Sequence, residues 1–166
     1  MEISEQEKIT SALKEKYEDQ ILHMESPYNF LTFIVKPEKI VEIIQHLHDH
    51  KDTQFKFLTT LFAVHYPDQK QISVVYQLHN LVSNHRVRIK IYLPEEKAVT
   101  PTITHIFAGA NWMERETFDF FGVIFTGHPK LVRILNVEDM IIHPMRKEYP
   151  LEDQSREDKN DTMFGR

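Results

Sequence analysis

Two runs in the middle of the chain alternate apolar and polar residues with a period of two. Ile72, Val74, Tyr76 and Leu78 alternate with Ser73, Gln77 and His79, and after a loop over Asn80 to His85 comes a second run. There Val87, Ile89, Ile91 and Leu93 alternate strictly with Arg86, Arg88, Lys90 and Tyr92. A period of two places the apolar residues of each run on one side of a strand. The runs therefore demand a sheet with one buried face, and that demand constrains everything around them. The opposite face of the second run carries a basic stripe. Such a stripe is ordinarily a solvated sheet face, and its alternative use is to dock an acidic partner.

Other elements gather around these strands. Ser4-Glu5-Gln6-Glu7 has the form of a capping box, and Ile9, Ala12, Leu13 and Tyr17 follow at helical spacing, which predicts a helix over about 4–18. Tyr28 to Val35 is aromatic and β-branched and reads as a strand ended by Pro37. Pro37 suits the first turn of a second amphipathic helix bearing Ile40, Val41, Ile43, Ile44 and Leu47. Phe55 to Tyr66 reads as a further strand, and Pro67-Asp68-Gln69-Lys70 as a turn. Thr100-Pro101 looks like a helix start, with the apolar pattern continuing from Ile103 to Phe121, a kink at Gly109 and a left-handed stop at Gly122. Beyond it, prolines at 129, 144 and 150 break the chain into short pieces, whose apolar anchors (Ile134, Leu135, Ile141, Ile142, Met145 and Leu151) are expected to be buried along a partner, and residues 152–166 are almost wholly polar, as in a mobile end. The expected division is a sheet domain over 1–125 and an extended arm over 126–166.

Composition removes several function classes. The 166 residues carry a net charge of −5 with both signs mixed, which argues against a nucleic-acid partner. With no cysteine there is neither a thiolate-ligated iron–sulfur cluster nor a thiol nucleophile. The four glycines (Gly109, Gly122, Gly127 and Gly165) form no phosphate loop. The charged N-terminus lacks the apolar core of a secretion signal. No apolar run approaches the roughly 18 residues that cross a bilayer, so any membrane link is expected through a partner.

The chemistry-bearing residues concentrate between Trp112 and Leu151. Glu114-Arg115-Glu116 and Asp119 lie among Trp112, Phe118, Phe120 and Phe121. Glu114 and Glu116 as an acid–base pair would suit a glycosidase, but residues two apart on a helix point away from each other. Arg115 and Asp119, one turn apart, can pair. Trp and Arg together suit a binding face. His128 and His143 each precede a proline and lack the spacing of a catalytic triad or a zinc helix. Arg133, Arg146 and Lys147 follow them and can hold acidic groups of another chain. His46 and His50 stand one turn apart, close enough to chelate zinc, yet no third ligand lies nearby and a solvated helix end explains them.

Taken in order, these pieces resemble the signature region of the 30 kDa, or C, subunit family of proton-translocating NADH–quinone oxidoreductase, respiratory complex I. The matching residues are Ala110-Asn111-Trp112, Glu114-Arg115-Glu116, Asp119 with Phe120-Phe121-Gly122, and Phe125 with Gly127-His128-Pro129. Arg133-Ile134-Leu135, His143-Pro144 with Arg146-Lys147, and Tyr149-Pro150-Leu151 complete the set. Val74-Val75-Tyr76 and Arg86-Val87-Arg88 extend it more weakly upstream. The resemblance implies a cofactor-free core subunit of the peripheral arm, on the cytoplasmic side of the inner membrane, packed against the D and B subunits. FMN, iron–sulfur clusters and quinone would belong to those neighbours. Trp112, Glu114, Arg115, Glu116, Asp119, His128, Arg133, His143, Arg146 and Lys147 are then expected at the partner interface, with no catalytic, cofactor or metal residue. Membrane-bound hydrogenases and formate-hydrogenlyase-type complexes carry a similar subunit, and a stand-alone metal hydrolase is the remote alternative. The expected fold is α+β: two layers, a mixed sheet with helices on one face, and an extended C-terminal arm.

Overall fold

The computed structural model describes residues 5–150. Among these residues seven strands and three α-helices follow in the order α1 (Glu5–Tyr17), β1 (Ile21–Glu25), β2 (Thr32–Val35), α2 (Ile40–Asp49), β3 (Phe57–Tyr66), β4 (Gln71–Asn80), β5 (His85–Pro94), β6 (Val99–Pro101), α3 (Ala110–Phe121) and β7 (Ile124–Thr126), with short 3-10 turns between some of them. The two alternating runs are β4 and β5, paired antiparallel from Gln71↔Pro94 to Asn80↔His85. They form the centre of a five-stranded sheet ordered β1-β2-β5-β4-β3, in which β2 runs parallel to β5 and the other neighbours are antiparallel. The sheet is mixed, as expected. Parallel β6 and β7 make a separate two-stranded ribbon.

Register assigns the faces. Leu61↔Tyr76↔Ile89 and Ala63↔Val74↔Ile91 line one face together. Phe33, level with Ile89, joins them. All of these residues belong to one buried core with Leu13 of α1, Ile40, Ile43, Ile44 and Leu47 of α2, and Ala110 of α3. Fully burying each large aliphatic side chain contributes about 1.5–3 kcal/mol. The other face carries Phe62, Val75, Lys90 and Ile34 in register and has no helix among the described residues assigned to its core.

Several expectations need correction. Ile21–Glu25 is a strand that the periodicity does not announce, because this edge strand is mostly exposed and so needs no apolar alternation. The strand read from Tyr28 begins only at Thr32, since Tyr28 and Asn29 turn at φ 52° and 65°. Thr100-Pro101 does not start a helix. It belongs to β6, where Pro101 pairs with Thr126 and Thr102 N–H donates to Thr126 C=O (3.0 Å). This pairing with a segment over twenty residues away outcompetes the local helix signal. Residues 103–109 turn instead, and Gly109 caps the N-terminus of α3 rather than kinking a longer helix. The capping-box residue Ser4, the anchor Leu151 and the polar end 152–166 lie outside the described residues.

Gly122 ends α3 at φ 75°, with its N–H on Phe118 C=O at 2.8 Å. A Cβ there would sit 2.6 Å from the His143 ring and 3.0 Å from the Arg146 guanidinium, whereas one at Gly109 would meet nothing within 4 Å. The left-handed turn and the close approach of the arm both require glycine. Gly122→Ala is expected to destabilise the chain by about 2 kcal/mol or more. That lowers Tm by about 4–8 °C. Gly109→Ala is expected to leave Tm within about 1 °C, and thermal unfolding of the two variants side by side checks both.

Candidate functional site

Helix α3 packs against β3 and carries the first part of the arm, and its two sides hold two buried carboxylates in opposite environments. Ala110, Glu114 and Thr117 are buried at the helical spacing of one face. The Glu114 carboxylate accepts the Thr102 hydroxyl (2.6 Å) and the Ile103 N–H (2.8 Å), tying α3 to the segment that leaves β6. Burial pushes its pKa up to about 7 against those two hydrogen bonds. The buried hydroxyls of Tyr76 and Thr100, which lie beside each other near Glu114, complete this polar pocket inside the core.

Asp119 lies on the arm side and is fully buried. Its carboxylate accepts the N–H groups of Ile134 (3.1 Å), Leu135 (2.8 Å) and Asn136 (2.9 Å), the Asn136 amide (3.0 Å) and the Arg133 guanidinium (2.7 Å). Burial alone would raise its pKa. The N–H groups of Asn136 and Leu135 and the Arg133 guanidinium outweigh burial and hold the carboxyl well below the usual range. Arg133 also donates to the carbonyls of Asp119 (3.0 Å), Met140 (2.5 Å) and Ile142 (2.9 Å). One ion pair thus gathers three separate pieces of the arm onto α3.

The remaining predicted residues reinforce that attachment. Arg115 donates to Val132 C=O (3.1 Å) and Arg133 C=O (2.9 Å) and stacks over Trp112 at 5.4 Å. His143 Nδ1 donates to Asp119 C=O (3.0 Å), and Arg146 Nε donates to Phe121 C=O (2.8 Å). His128 accepts the Lys130 N–H on Nδ1 (3.0 Å) and donates from Nε2 to Asn111 C=O (3.1 Å). Its lone pair is therefore spent. Lys147 gives its backbone N–H to Nδ1 of His65 (3.0 Å), while its side chain faces solvent.

Placed at the partner interface by the sequence, Glu114, Asp119 and Arg133 face the chain's own interior instead. Each is hydrogen-bonded within this chain. Arg115 does not pair with Asp119, whose lone pairs are occupied by the arm. What remains outward is Glu116, Lys147, Trp112 (61% exposed), Val137, and three of the apolar arm anchors expected to lie along a partner: Leu135 (65%), Ile141 (93%) and Met145. Their signal in the sequence was apolar character without periodicity, which marks no particular face.

His65, Glu95 and Glu148 bring three potential ligand atoms within 4.8 Å of one another. His65 Nε2 lies 3.1 Å from Glu95 Oε1, off the line of a good hydrogen bond. Because Nδ1 accepts the Lys147 N–H, the ring proton belongs on Nε2, and a metal there would have to displace it. The trio suits a histidine–carboxylate contact between sheet and arm better than a metal centre.

The class this arrangement defines is an α+β chain whose buried charges tie one helix to an extended arm and whose arm turns apolar side chains outward. Residues 33–155 match the family model described as respiratory-chain NADH dehydrogenase, 30 Kd subunit, and the chain belongs to that family. It is 36% identical over 156 residues to the C subunit of the NADH-quinone oxidoreductase of Citrifermentans bemidjiense, covering 93% of this chain and 96% of that one. Among solved structures, a trypsin-resistant fragment (1-134) of Nqo5 aligns with TM-score 0.64 and 27% identity, over 77% of this chain and all of that fragment. A chain of the membrane-bound sulfane sulfur reductase, an archaeal respiratory membrane complex, aligns with TM-score 0.77 and 26% identity, over 89% of this chain and 87% of that one.

The two carboxylates predict opposite responses to pH. Glu114 has a raised folded-state pKa, so its contribution to stability is fully present below its unfolded value of about 4.5. That contribution is lost as pH rises through about 7. Glu114→Gln, which keeps the shape of the protonated acid, is expected to flatten the fall in stability between those limits, as read by urea unfolding across pH. Asp119 has a depressed pKa, so its contribution is present above the ordinary carboxylate range and is lost as pH falls. Asp119→Asn leaves Arg133 buried without its counter-ion and is expected to cost about 3–5 kcal/mol at neutral pH.

Proposed function

We propose that this chain serves as the C subunit of a proton-translocating NADH–quinone oxidoreductase. In this reading it is a cofactor-free scaffold of the peripheral arm, on the cytoplasmic side of the inner membrane, held against the D and B subunits. FMN, the iron–sulfur clusters and quinone belong to other subunits, so this chain makes and breaks no bond itself. The observation that carries the reading is the family match, which runs through the sheet, α3 and the arm. The exposed large apolar side chains of Trp112 and of the arm residues Leu135, Val137, Ile141 and Met145 support it, since aromatic and apolar side chains left in water by the free chain suit a protein–protein contact. No described helix is long and apolar enough to cross a membrane, in keeping with attachment through partners.

A second reading is favoured by the likeness to the sulfane sulfur reductase chain. In it, the same scaffold serves a related respiratory or hydrogenase-type membrane complex. Which subunits co-purify separates the two. Affinity purification of the tagged chain from its own membranes is expected to recover D and B subunits together with NADH-dependent quinone reduction. Recovery of a nickel-site subunit without NADH activity would establish the second reading, and recovery of the chain alone would overturn both.

Two further outcomes are expected. The purified chain should show no flavin or cluster absorption after gel filtration. Leu135→Asp combined with Ile141→Asp should lower recovery of the D subunit about tenfold, equivalent to about 1.4 kcal/mol. Melting of the free chain should move by no more than about 2 °C, because both positions are exposed in it. Undiminished recovery would place the interface elsewhere.

A further inference from the structure

The sheet face opposite the described helices carries a row of cations along β5, beside the buried Ser73, Val75 and His79 of β4. Arg86, Arg88 and Lys90 occupy alternate positions of β5 and so project from the same face. None of the three has a carboxylate within 4.0 Å among the described residues. Glu25, level with Thr32, which in turn is level with Arg88, stands two strands away and does not reach it. By contrast, the guanidinium groups of Arg115, Arg133 and Arg146 are all engaged with the chain's own carbonyls or carboxylates.

Two of the three cations are nevertheless held in place. Arg88 lies over the Phe30 ring at 4.6 Å, and Lys90 lies over Tyr92 at 4.8 Å and over Tyr66 at 5.3 Å, with its amine 3.3 Å from the Tyr66 hydroxyl. The Arg88 Nε–H is buried and has no acceptor. Stacking on rings orients a cation without neutralising it. It also removes part of the entropic cost of fixing long side chains at an interface. The result is a preorganised row of positive charge, bordered by the partly exposed Phe62, on a chain whose net charge is −5. That overall negative charge disfavours nucleic acid or an anionic bilayer as the occupant. Spacing favours a protein: cations two residues apart on a strand stand about 6.6 Å apart, which suits separate side-chain carboxylates.

We propose that the Arg86–Arg88–Lys90 face of the sheet is a second docking surface, separate from the arm, which receives an acidic segment of a neighbouring protein subunit. The proposal rests on the reading of this chain as part of a multi-subunit complex, and the two can fail separately.

The complex is purified through the tagged full-length chain, and Lys90 acetylation is compared between free chain and complex by mass spectrometry. Lys90 is expected to be at least about fivefold less reactive in the complex. Partners co-purifying while Lys90 stays equally reactive would overturn the proposal and leave the reading of the chain as a subunit intact. Equal protection in free chain and complex would assign the face to the chain's own termini and also overturn it. If no partner co-purifies, both fall together.

Charge is tested separately. The double substitution Arg86→Glu, Lys90→Glu should lower recovery of the complex about tenfold while the melting temperature of the free chain is retained. Lys90→Met, which keeps the apolar stem, should lower recovery less and reduce its loss at raised salt. Should the double variant fail to fold, the salt dependence of Lys90→Met against wild type decides. An unchanged dependence overturns the proposal.

Discussion

The attachment of the arm depends on one buried ion pair. Asp119 is the place where a long, proline-punctuated segment, without helix or strand over 127–150, becomes ordered. Its carboxylate takes the N–H groups of three consecutive residues, so it acts on the arm's backbone and not on one side chain. Arg133 closes the arrangement from the other direction by gathering the carbonyls of Met140 and Ile142. A buried charge is tolerable only when paired and fully hydrogen-bonded, and this pair meets both conditions through the arm's own main chain. The order of residues 133–142 is thus a consequence of burying Asp119.

The same helix carries Glu114 on its opposite side with the opposite outcome. Glu114 receives only two neutral donors and no cation, so burial dominates and the group is proton-binding near neutrality. Asp119 receives four amide donors and a guanidinium, so ionisation dominates. Two carboxylates five residues apart therefore join α3 to the sheet side and to the arm side by different physics. Gly122 lets the arm return closely enough to use both His143 and Arg146 as further clamps.

Anchoring the arm has a consequence at the surface. Because Arg133, His143 and the Arg146 guanidinium are engaged internally, the arm's outward side mixes exposed charges such as Glu138, Asp139 and Lys147 with large apolar side chains: Leu135, Val137, Ile141 and Met145. Its apolar part relies on burial for affinity, and the engaged charges contribute by holding its shape. The sheet face opposite the described helices is the complement, with cations oriented by aromatic rings and left without counter-charge. A scaffold that exposes apolar arm residues on one side and a basic row on the other can hold two neighbours of different chemistry.

Much of this was legible in the residues themselves. The alternation over 72–78, broken only by Val75, and the strict alternation over 87–93 specified the central hairpin, because a period of two has only one way to bury its apolar side. The apolar stripes of α1 and α2 and the left-handed stop at Gly122 follow from equally local rules. The sequence also marked Glu114, Asp119, Arg133, His143 and Arg146 as important, through their spacing. It did not determine which way they face. That was decided by contacts between distant segments: β6 with β7, Thr102 with Glu114, and residues 133–136 with Asp119. Charged residues were read as outward because lone charges belong in water, and tertiary structure reversed this for Asp119 and Arg133 by supplying each with its counter-ion and donors or acceptors from elsewhere in the chain. Periodicity reports which side of an element is apolar. Only the assembled fold determines whether a charge has found enough partners to be buried.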